Sequence, residues 1–153
     1  MKHLKAGDKA PDFTAKDQNG NPVSLADFKG KRVLLYFYPH DDTPTCTVQA
    51  CNLRDNFGAL KAAGITVLGV SVDSEQKHKK FETKHQLPFT LLVDEELHIV
   101  NLYGVWGEKQ FMGRTITGTH RTSFLIDEKG IIAEIIDKVK SKIHADQVLS
   151  FWQ

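Results

Sequence analysis

The sequence contains little of what several common protein classes require. Its 153 residues include two cysteines, and its 20 basic side chains are balanced by 19 acidic ones. The resulting formal charge of +1 argues against a nucleic-acid binder, which needs a basic excess to neutralise phosphates. No apolar run approaches the roughly 20 residues that cross a bilayer. We therefore expect neither a nucleic-acid partner nor a membrane span.

The scarcity of cysteine also limits the roles of Cys46 and Cys51. A secreted domain held by disulfides carries more cysteines in a shorter chain, and residues 1–8 show no apolar stretch typical of a secretory signal. A closed zinc site needs about four ligands, and no second cysteine pair accompanies these two. We expect a cytoplasmic protein without a bound metal, in which the two thiols are a redox pair or a coincidence.

The hydrophobic pattern predicts one α/β domain over residues 1–153, without repeats or linkers. Continuous apolar runs are typical of strands covered on both faces, and they are found at 33–38, 66–72 and 89–93. Segments with a helical pattern follow these strands or close the chain, at 44–63, 75–85, 95–103 and 144–152. Hairpins are predicted around residues 19–21 and 127–130.

This order of elements predicts a thioredoxin-like fold, with a central mixed β-sheet flanked by helices and an N-terminal β-hairpin. Helices between the early strands favour parallel pairing, whereas the late hairpin must pair antiparallel. Sites in such sheets lie at the carboxyl ends of the strands. The run at 33–38 ends at Pro39, and both cysteines follow it.

The residues before Cys46 predict a helix start that favours its thiolate. Thr43 is a good N-cap residue and Pro44 is favoured at the first helical position, which makes Cys46 the third residue of the helix. The first-turn amides lack intrahelical acceptors, and this end of a helix carries a partial positive charge. A thiolate, the nucleophilic form of cysteine, is stabilised there. Cys51 lies further along the helix, so we expect two chemically different thiols.

The spacing of the two cysteines excludes a disulfide within an intact helix. Residues five apart lie roughly 140° apart around the axis and roughly 7.5 Å apart along it, which separates their Cα atoms by roughly 8–9 Å. A disulfide tolerates about 7 Å. A bond between Cys46 and Cys51 therefore requires the helix to unwind. A Cys51 that simply packs in the core is the alternative.

The segment around Cys46 resembles the active site of the peroxiredoxins. The pattern Pro39-x-x-x-Thr43-x-x-Cys46 matches their motif, and the Cys-x-x-x-x-Cys spacing is similar to that of the bacterioferritin comigratory protein, or PrxQ, branch. The likeness covers essentially the whole chain, through 10–13 (APDF), 104–109 (GVWGEK), 111–113 (FMG) and 121–127 (RTSFLID).

The resemblance implies a thiol peroxidase that reduces hydrogen peroxide and organic hydroperoxides, in antioxidant defence. It implies that Cys46 is the peroxidatic cysteine and Cys51 the resolving one, joined by an intramolecular disulfide after peroxide reduction. By the same resemblance, Thr43 holds the peroxide, Arg121 stabilises the thiolate and the breaking O–O bond, and Pro39 shapes the pocket. Thioredoxin or a similar dithiol is the implied reductant, no cofactor is implied, and a monomer is expected.

Other interpretations stay open from the sequence. A general thiol–disulfide oxidoreductase uses a Cys-x-x-Cys spacing, which this sequence lacks, and a redox sensor uses a disulfide without turnover. Asp41 and Asp42 are expected to favour the helix dipole or to be solvated, and the histidines to lie at the surface. Trp106 and Phe111 are expected to be packing residues, with a hydrophobic collar near the thiol as the alternative.

Overall fold

The computed structural model describes residues 3–152, so Met1, Lys2 and Gln153 lie outside the described residues. The predicted domain over 1–153 and the segment 1–8 both extend beyond these bounds. The strands are β1 Thr14–Lys16, β2 Pro22–Ser24, β3 Arg32–Phe37, β4 Ile65–Ser71, β5 Thr90–Val93, β6 Trp106–Phe111, β7 Arg114–Thr119, β8 Thr122–Ile126 and β9 Ile132–Ile136. The α-helices are α1 Pro44–Asp55, α2 Phe57–Ala62, α3 Glu75–His85, α4 His98–Leu102 and α5 His144–Phe151. Among these described residues, no helix has both the length and the apolar character that crossing a membrane requires.

A mixed sheet of five strands forms the centre of the fold, in the order β5-β4-β3-β8-β9. Strands β3, β4 and β5 pair in parallel, whereas β8 pairs antiparallel with both β3 and β9. Strands β1 and β2 form a separate antiparallel hairpin near the N-terminus. The predicted mixed sheet, N-terminal hairpin and late hairpin are therefore confirmed.

Side chains on the two faces of the sheet enter separate hydrophobic cores. Leu35 and Phe37 of β3 belong to one core, and the alternating residues Leu34 and Tyr36 belong to the other. Each of these four side chains is at most 1% exposed, as expected for a strand covered on both faces. Residues of α4 complete the first core, and residues of α1, α3 and α5 complete the second, which also contains Cys46.

The predicted helix at 44–63 is interrupted, because the chain leaves helical geometry at Asn56. This residue has φ −110° and ψ 16°, and its side-chain amide donates a hydrogen bond to the carbonyl of Asn52. Asparagine side chains compete with the backbone for such acceptors, which is why they favour helix ends. Gly64, with φ 76°, follows the second helix as predicted.

The hairpin formed by β6 and β7 is absent from the sequence predictions. Its strands pair antiparallel from Trp106 with Thr119 to Phe111 with Arg114. Most of its side chains are exposed or half-buried, so the segment lacks the apolar pattern that identifies a strand. The turn at Met112 and Gly113 uses positive φ values of 52° and 78°, and Met112 gives no sign of such a turn in the sequence.

The sheet topology brings distant parts of the chain to one edge. Because β3 and β8 are antiparallel neighbours, the end of β3 lies beside the start of β8, and Phe37 pairs with Thr122. Pro39 lies just after the end of β3, and Arg121 lies directly before β8. The loop before α1 and Arg121 therefore meet at the carboxyl end of β3, the edge predicted to hold the site.

Candidate active site

Helix α1 begins in the loop that follows β3. Thr43 is its N-cap residue, Pro44 its first residue and Cys46 its third, as predicted. The Thr43 side chain does not cap the helix, because its Oγ1 donates instead to the carbonyl of His40 at 3.1 Å. The first-turn amides therefore donate no hydrogen bond to this side chain, and their partial positive charge is left for an anion at Cys46.

Arg121 contacts the sulfur of Cys46 from the start of β8. Its Nη2 donates to Cys46 Sγ at 3.3 Å, and its Nη1 donates to Gln49 Oε1 at 2.6 Å. The Cys46 residue is 2% exposed. A cation in contact with the sulfur stabilises the ionised thiol, so the helix end and the guanidinium act in the same direction.

The Cys46 residue lies at the wall of a groove of about 1000 Å³. Pro39, Thr43 and Arg121 also line this groove. The structure thus brings four of the five predicted site residues together. The β6-β7 hairpin supplies further lining residues: Trp106, Lys109, Phe111, Ile116, Thr117, Gly118 and Thr119. Trp106 packs against the first core, as expected, and also lines the groove, whereas Phe111 is exposed and lines the groove as the alternative of a hydrophobic collar proposed.

Cys51, the fifth predicted residue, is not among the lining residues of this groove. It lies within α1, half-buried, and both thiols are free. Regular helix runs unbroken from Cys46 to Cys51, so the two sulfurs project from different faces of α1. A disulfide between them requires the first turns of α1 to unwind, as the spacing predicts.

Two polar residues of the site were missed from the sequence, Gln49 and Lys109. Gln49 is fully buried and holds the guanidinium of Arg121, while its Nε2 has no partner among the described residues. It follows Cys46 by three positions and shares a helix face with it, which is a signal the sequence contained. Lys109 donates to the carbonyl of Thr119 at 2.8 Å, and burial, helped by the charge of Arg121, lowers the pKa of Lys109.

The loop before α1 is attached to α3 by a buried polar cluster, which corrects two predictions: that Asp41 favours the helix dipole or is solvated, and that the histidines lie at the surface. The Asp41 side chain is 5% exposed, and its Oδ2 lies 2.6 Å from Nδ1 of the fully buried His78. Asp73 accepts a hydrogen bond from the Asp41 backbone amide at 2.7 Å. Ligand atoms of Asp41, Asp73 and His78 lie within 4.8 Å of one another, close enough for a metal ion, but hydrogen bonds among these residues already connect them.

Comparison with known proteins assigns the chain to a family. The AhpC/TSA family model matches residues 6–135. The chain is 54% identical to Peroxiredoxin Bcp of Escherichia coli over 151 residues, which cover 99% of this chain and 97% of the relative. It is 43% identical to Peroxiredoxin Bcp of Bacillus subtilis over 146 residues, covering 95% and 93% of the two chains.

Solved structures agree with this assignment. Peroxidoxin BcpB of Mycobacterium tuberculosis superposes with a TM-score of 0.86 at 30% identity, over 98% of this chain and 97% of that one. Peroxiredoxin Q of Xanthomonas campestris gives a TM-score of 0.88 at 30% identity, over 97% of each. These neighbours have the thioredoxin fold, which confirms both the predicted fold and the resemblance. The chain therefore belongs to the AhpC/TSA family, in its BCP/PrxQ branch of peroxiredoxins, and is a thiol-dependent peroxidase.

Proposed function

We propose that Cys46 is the peroxidatic residue, and that its thiolate attacks one oxygen of a hydroperoxide bound in the groove. The observation that carries this assignment is the contact of Arg121 with a sulfur at the start of a helix, beside an open groove. Attack forms a sulfur–oxygen bond and breaks the O–O bond, giving a sulfenic acid and releasing water or an alcohol. Peroxiredoxins in general perform this reaction with a thioredoxin-type reductant.

The polar groups around the sulfur have distinct roles in this step. The Thr43 hydroxyl donates to His40 and lines the groove, so its oxygen keeps lone pairs to accept the O–H of the peroxide. Arg121 and the first-turn amides stabilise negative charge as it moves from sulfur to the leaving oxygen. Pro39 forms part of the groove wall, which shields the sulfur from bulk water.

We assign the second half of the reaction to Cys51. The sulfenic acid of Cys46 condenses with the Cys51 thiol after the first turns of α1 unwind, and a disulfide and water form. A thioredoxin-type dithiol then reduces the disulfide by exchange.

The same proposal covers the cofactor requirement, the oligomeric state and the cellular location of the enzyme. Sulfur supplies the electron pair, so the reaction uses no metal, flavin or haem. The resemblance to the BCP/PrxQ branch supports a monomeric enzyme. Thiol cycling with a dithiol reductant supports a cytoplasmic location.

Peroxide consumption coupled to thioredoxin, its reductase and NADPH tests this function. The Cys46→Ser variant should show no turnover, because a hydroxyl is too weakly acidic to replace the thiolate. Retained turnover would remove the assignment of Cys46. The Cys51→Ser variant should oxidise once and then stall, with a sulfenic acid visible by intact mass after trapping. Unchanged recycling in this variant would remove the assignment of Cys51.

A further inference from the structure

A histidine and an aspartate lie beside Cys51, on the side of α1 away from the peroxide groove. Nδ1 of His85, at the end of α3, lies 3.9 Å from Cys51 Sγ. Its Nε2 lies 3.2 Å from Oδ1 of Asp42, in the loop before α1. None of these three residues lines the groove at Cys46. The proposed attack on the peroxide therefore does not use these three residues.

The partners of His85 determine which of its ring nitrogens carries the proton. Lys84 Nζ donates to Asp42 Oδ2 at 2.8 Å, and the hydrogen bonds from Lys84 and His85 lower the pKa of Asp42. An ionised carboxylate can only accept a hydrogen bond, so His85 Nε2 must donate. In the neutral imidazole, Nδ1 is then an acceptor, and it faces the thiol of Cys51.

Further charged and aromatic groups surround the pair formed by Cys51 and His85. Arg54, three residues after Cys51, donates from Nη1 to the His85 carbonyl at 2.8 Å and interacts electrostatically with Cys51. The Phe81 ring packs edge-on at 5.2 Å from the His85 ring. The titratable and charged groups described around the pair are Asp42 from the loop, Lys84 from α3, Arg54 from α1 and Tyr36 from β3, and Asp55 pairs with Arg54.

Contacts on either side of the unwinding segment keep this arrangement in place. Asn52, directly after Cys51, donates from Nδ2 to the Lys142 carbonyl at 2.9 Å and accepts from the Ala145 amide at 2.8 Å. Asp41, directly before Asp42, is held by His78 and Asp73. Both anchored residues lie outside the turns that must unwind. These contacts favour an unwinding in which Cys46 moves towards Cys51 and Cys51 keeps its place beside His85.

We propose that His85, oriented by Asp42, is the general base that ionises Cys51 for disulfide formation. This inference rests on the resolving role proposed above for Cys51. The thiol proton passes to His85 Nδ1, and the Cys51 thiolate attacks Sγ of the Cys46 sulfenic acid. A sulfur–sulfur bond forms while the sulfur–oxygen bond breaks. The departing hydroxide takes the proton from His85 and leaves as water. The sulfenic sulfur is reduced and the Cys51 sulfur is oxidised, so no further oxidant is needed.

Quenched-flow measurement of the two steps tests the base. Reduced protein is mixed with one equivalent of hydrogen peroxide, and the thiol, trapped sulfenic acid and disulfide are separated by intact mass. In His85→Gln, sulfenic acid formation should stay within about two-fold of the wild type, while disulfide formation at about pH 7 falls by about 10²-fold. Asp42→Asn should slow the second step by a smaller factor. His98→Gln, at an exposed histidine of α4, should change neither step.

The pH dependence separates a base from a residue that merely packs against α1. The pH profile of disulfide formation in His85→Gln should differ from that of the wild type, because the variant has lost the group that takes up the thiol proton. Added imidazole should restore part of the rate in the variant. A wild-type rate in His85→Gln at neutral pH, or a slow step with an unchanged pH profile and no rescue, would overturn the proposal. Normal recycling in Cys51→Ser would instead remove the resolving role of Cys51 itself.

Discussion

Arg121 acts through its geometry as well as through its charge. One arm of its guanidinium reaches the sulfur of Cys46, and the other is held by the buried oxygen of Gln49. A planar fork permits both contacts at once, whereas a lysine ammonium is a single point of charge on a flexible stem. The buried amide of Gln49 thus fixes the direction from which positive charge meets the sulfur.

Replacing Arg121 with Lys should therefore remove most of the acceleration of sulfenic acid formation that Arg121 provides, although the positive charge is kept. We expect the second-order rate constant of sulfenic acid formation to fall by about 10²-fold, similar to the loss of one donor from an oxyanion site. Stopped-flow mixing with hydrogen peroxide measures this step. Arg114→Lys, at an exposed position of β7, is the matched control and should have no effect. A rate for Arg121→Lys within two-fold of the wild type would show that charge alone is sufficient.

Local signals explain which site residues the sequence revealed. Thr43, Pro44 and Cys46 form a helix start, and such a start is encoded by adjacent residues. Arg121 rested on the family resemblance alone, because its contact with Cys46 spans 75 positions of the chain. The burial of Asp41 could not be predicted, since it depends on a histidine that α3 brings to the loop.

At the scale of elements, α1 has two requirements that oppose each other. Its first turn must be formed to stabilise the thiolate of Cys46, yet the same turns must open to join Cys46 to Cys51. Its start was predicted correctly from capping residues, but its end at Asn56 was not, because a single asparagine is a weak signal against a long helical pattern. The β6-β7 hairpin was missed for a related reason, since its exposed strands lack the periodicity of a buried sheet.

Val48 provides a direct test of unwinding, because it lies between the two cysteines and is 40% exposed. Glycine is less favourable than alanine in a helix by about 1 kcal/mol, or about five-fold in an equilibrium constant. Val48→Gly should therefore form the disulfide about five-fold faster than Val48→Ala, while both variants form the sulfenic acid at equal rates. Quenched-flow with intact mass measures both steps. Equal rates of disulfide formation would mean that this part of α1 does not unwind.

At the scale of the whole molecule, two buried histidines make the stability depend on pH in opposite senses. Burial acts to lower the pKa of His78, but the hydrogen bond and charge of Asp41 outweigh it and raise that pKa. Both nitrogens of His78 face acceptors, Asp41 and the Leu92 carbonyl, as expected of an imidazolium. Burial lowers the pKa of His144, which accepts a hydrogen bond from Ser123 through Nε2 as a neutral ring.

The sign of the His78 contribution follows from its raised pKa. Its stabilising effect is fully present below the unfolded value of about 6.5 and is lost as the pH rises through the folded value. His78→Asn should lower the free energy of unfolding by roughly 3 kcal/mol at about pH 6, where a buried pair is broken, and by less at about pH 9. Urea denaturation at the two pH values measures the difference. His98→Asn serves as the exposed control, and a cost for His78→Asn that does not change with pH would contradict the charged state of His78.

The architecture was predictable because apolar runs, helical segments and turns alternate clearly along the chain. The order of elements determined parallel pairing for β3, β4 and β5 and antiparallel pairing for β8 and β9. Side-chain networks such as those around His78 and His85 needed coordinates. They join residues of α3 to a loop more than 30 positions away, and nothing in the local sequence selects those partners.

In the proposed cycle, the exposure of the inner face of α1 depends on the redox state of the two cysteines. In the reduced protein, Cys46, Gln49 and Ala50 are at most 2% exposed. When the first turns unwind, this surface becomes exposed to solvent. The disulfide form therefore exposes a patch that is buried in the reduced form. A reductant that binds this patch binds the disulfide form and not the reduced enzyme. Refolding after reduction then withdraws the surface and releases the reductant.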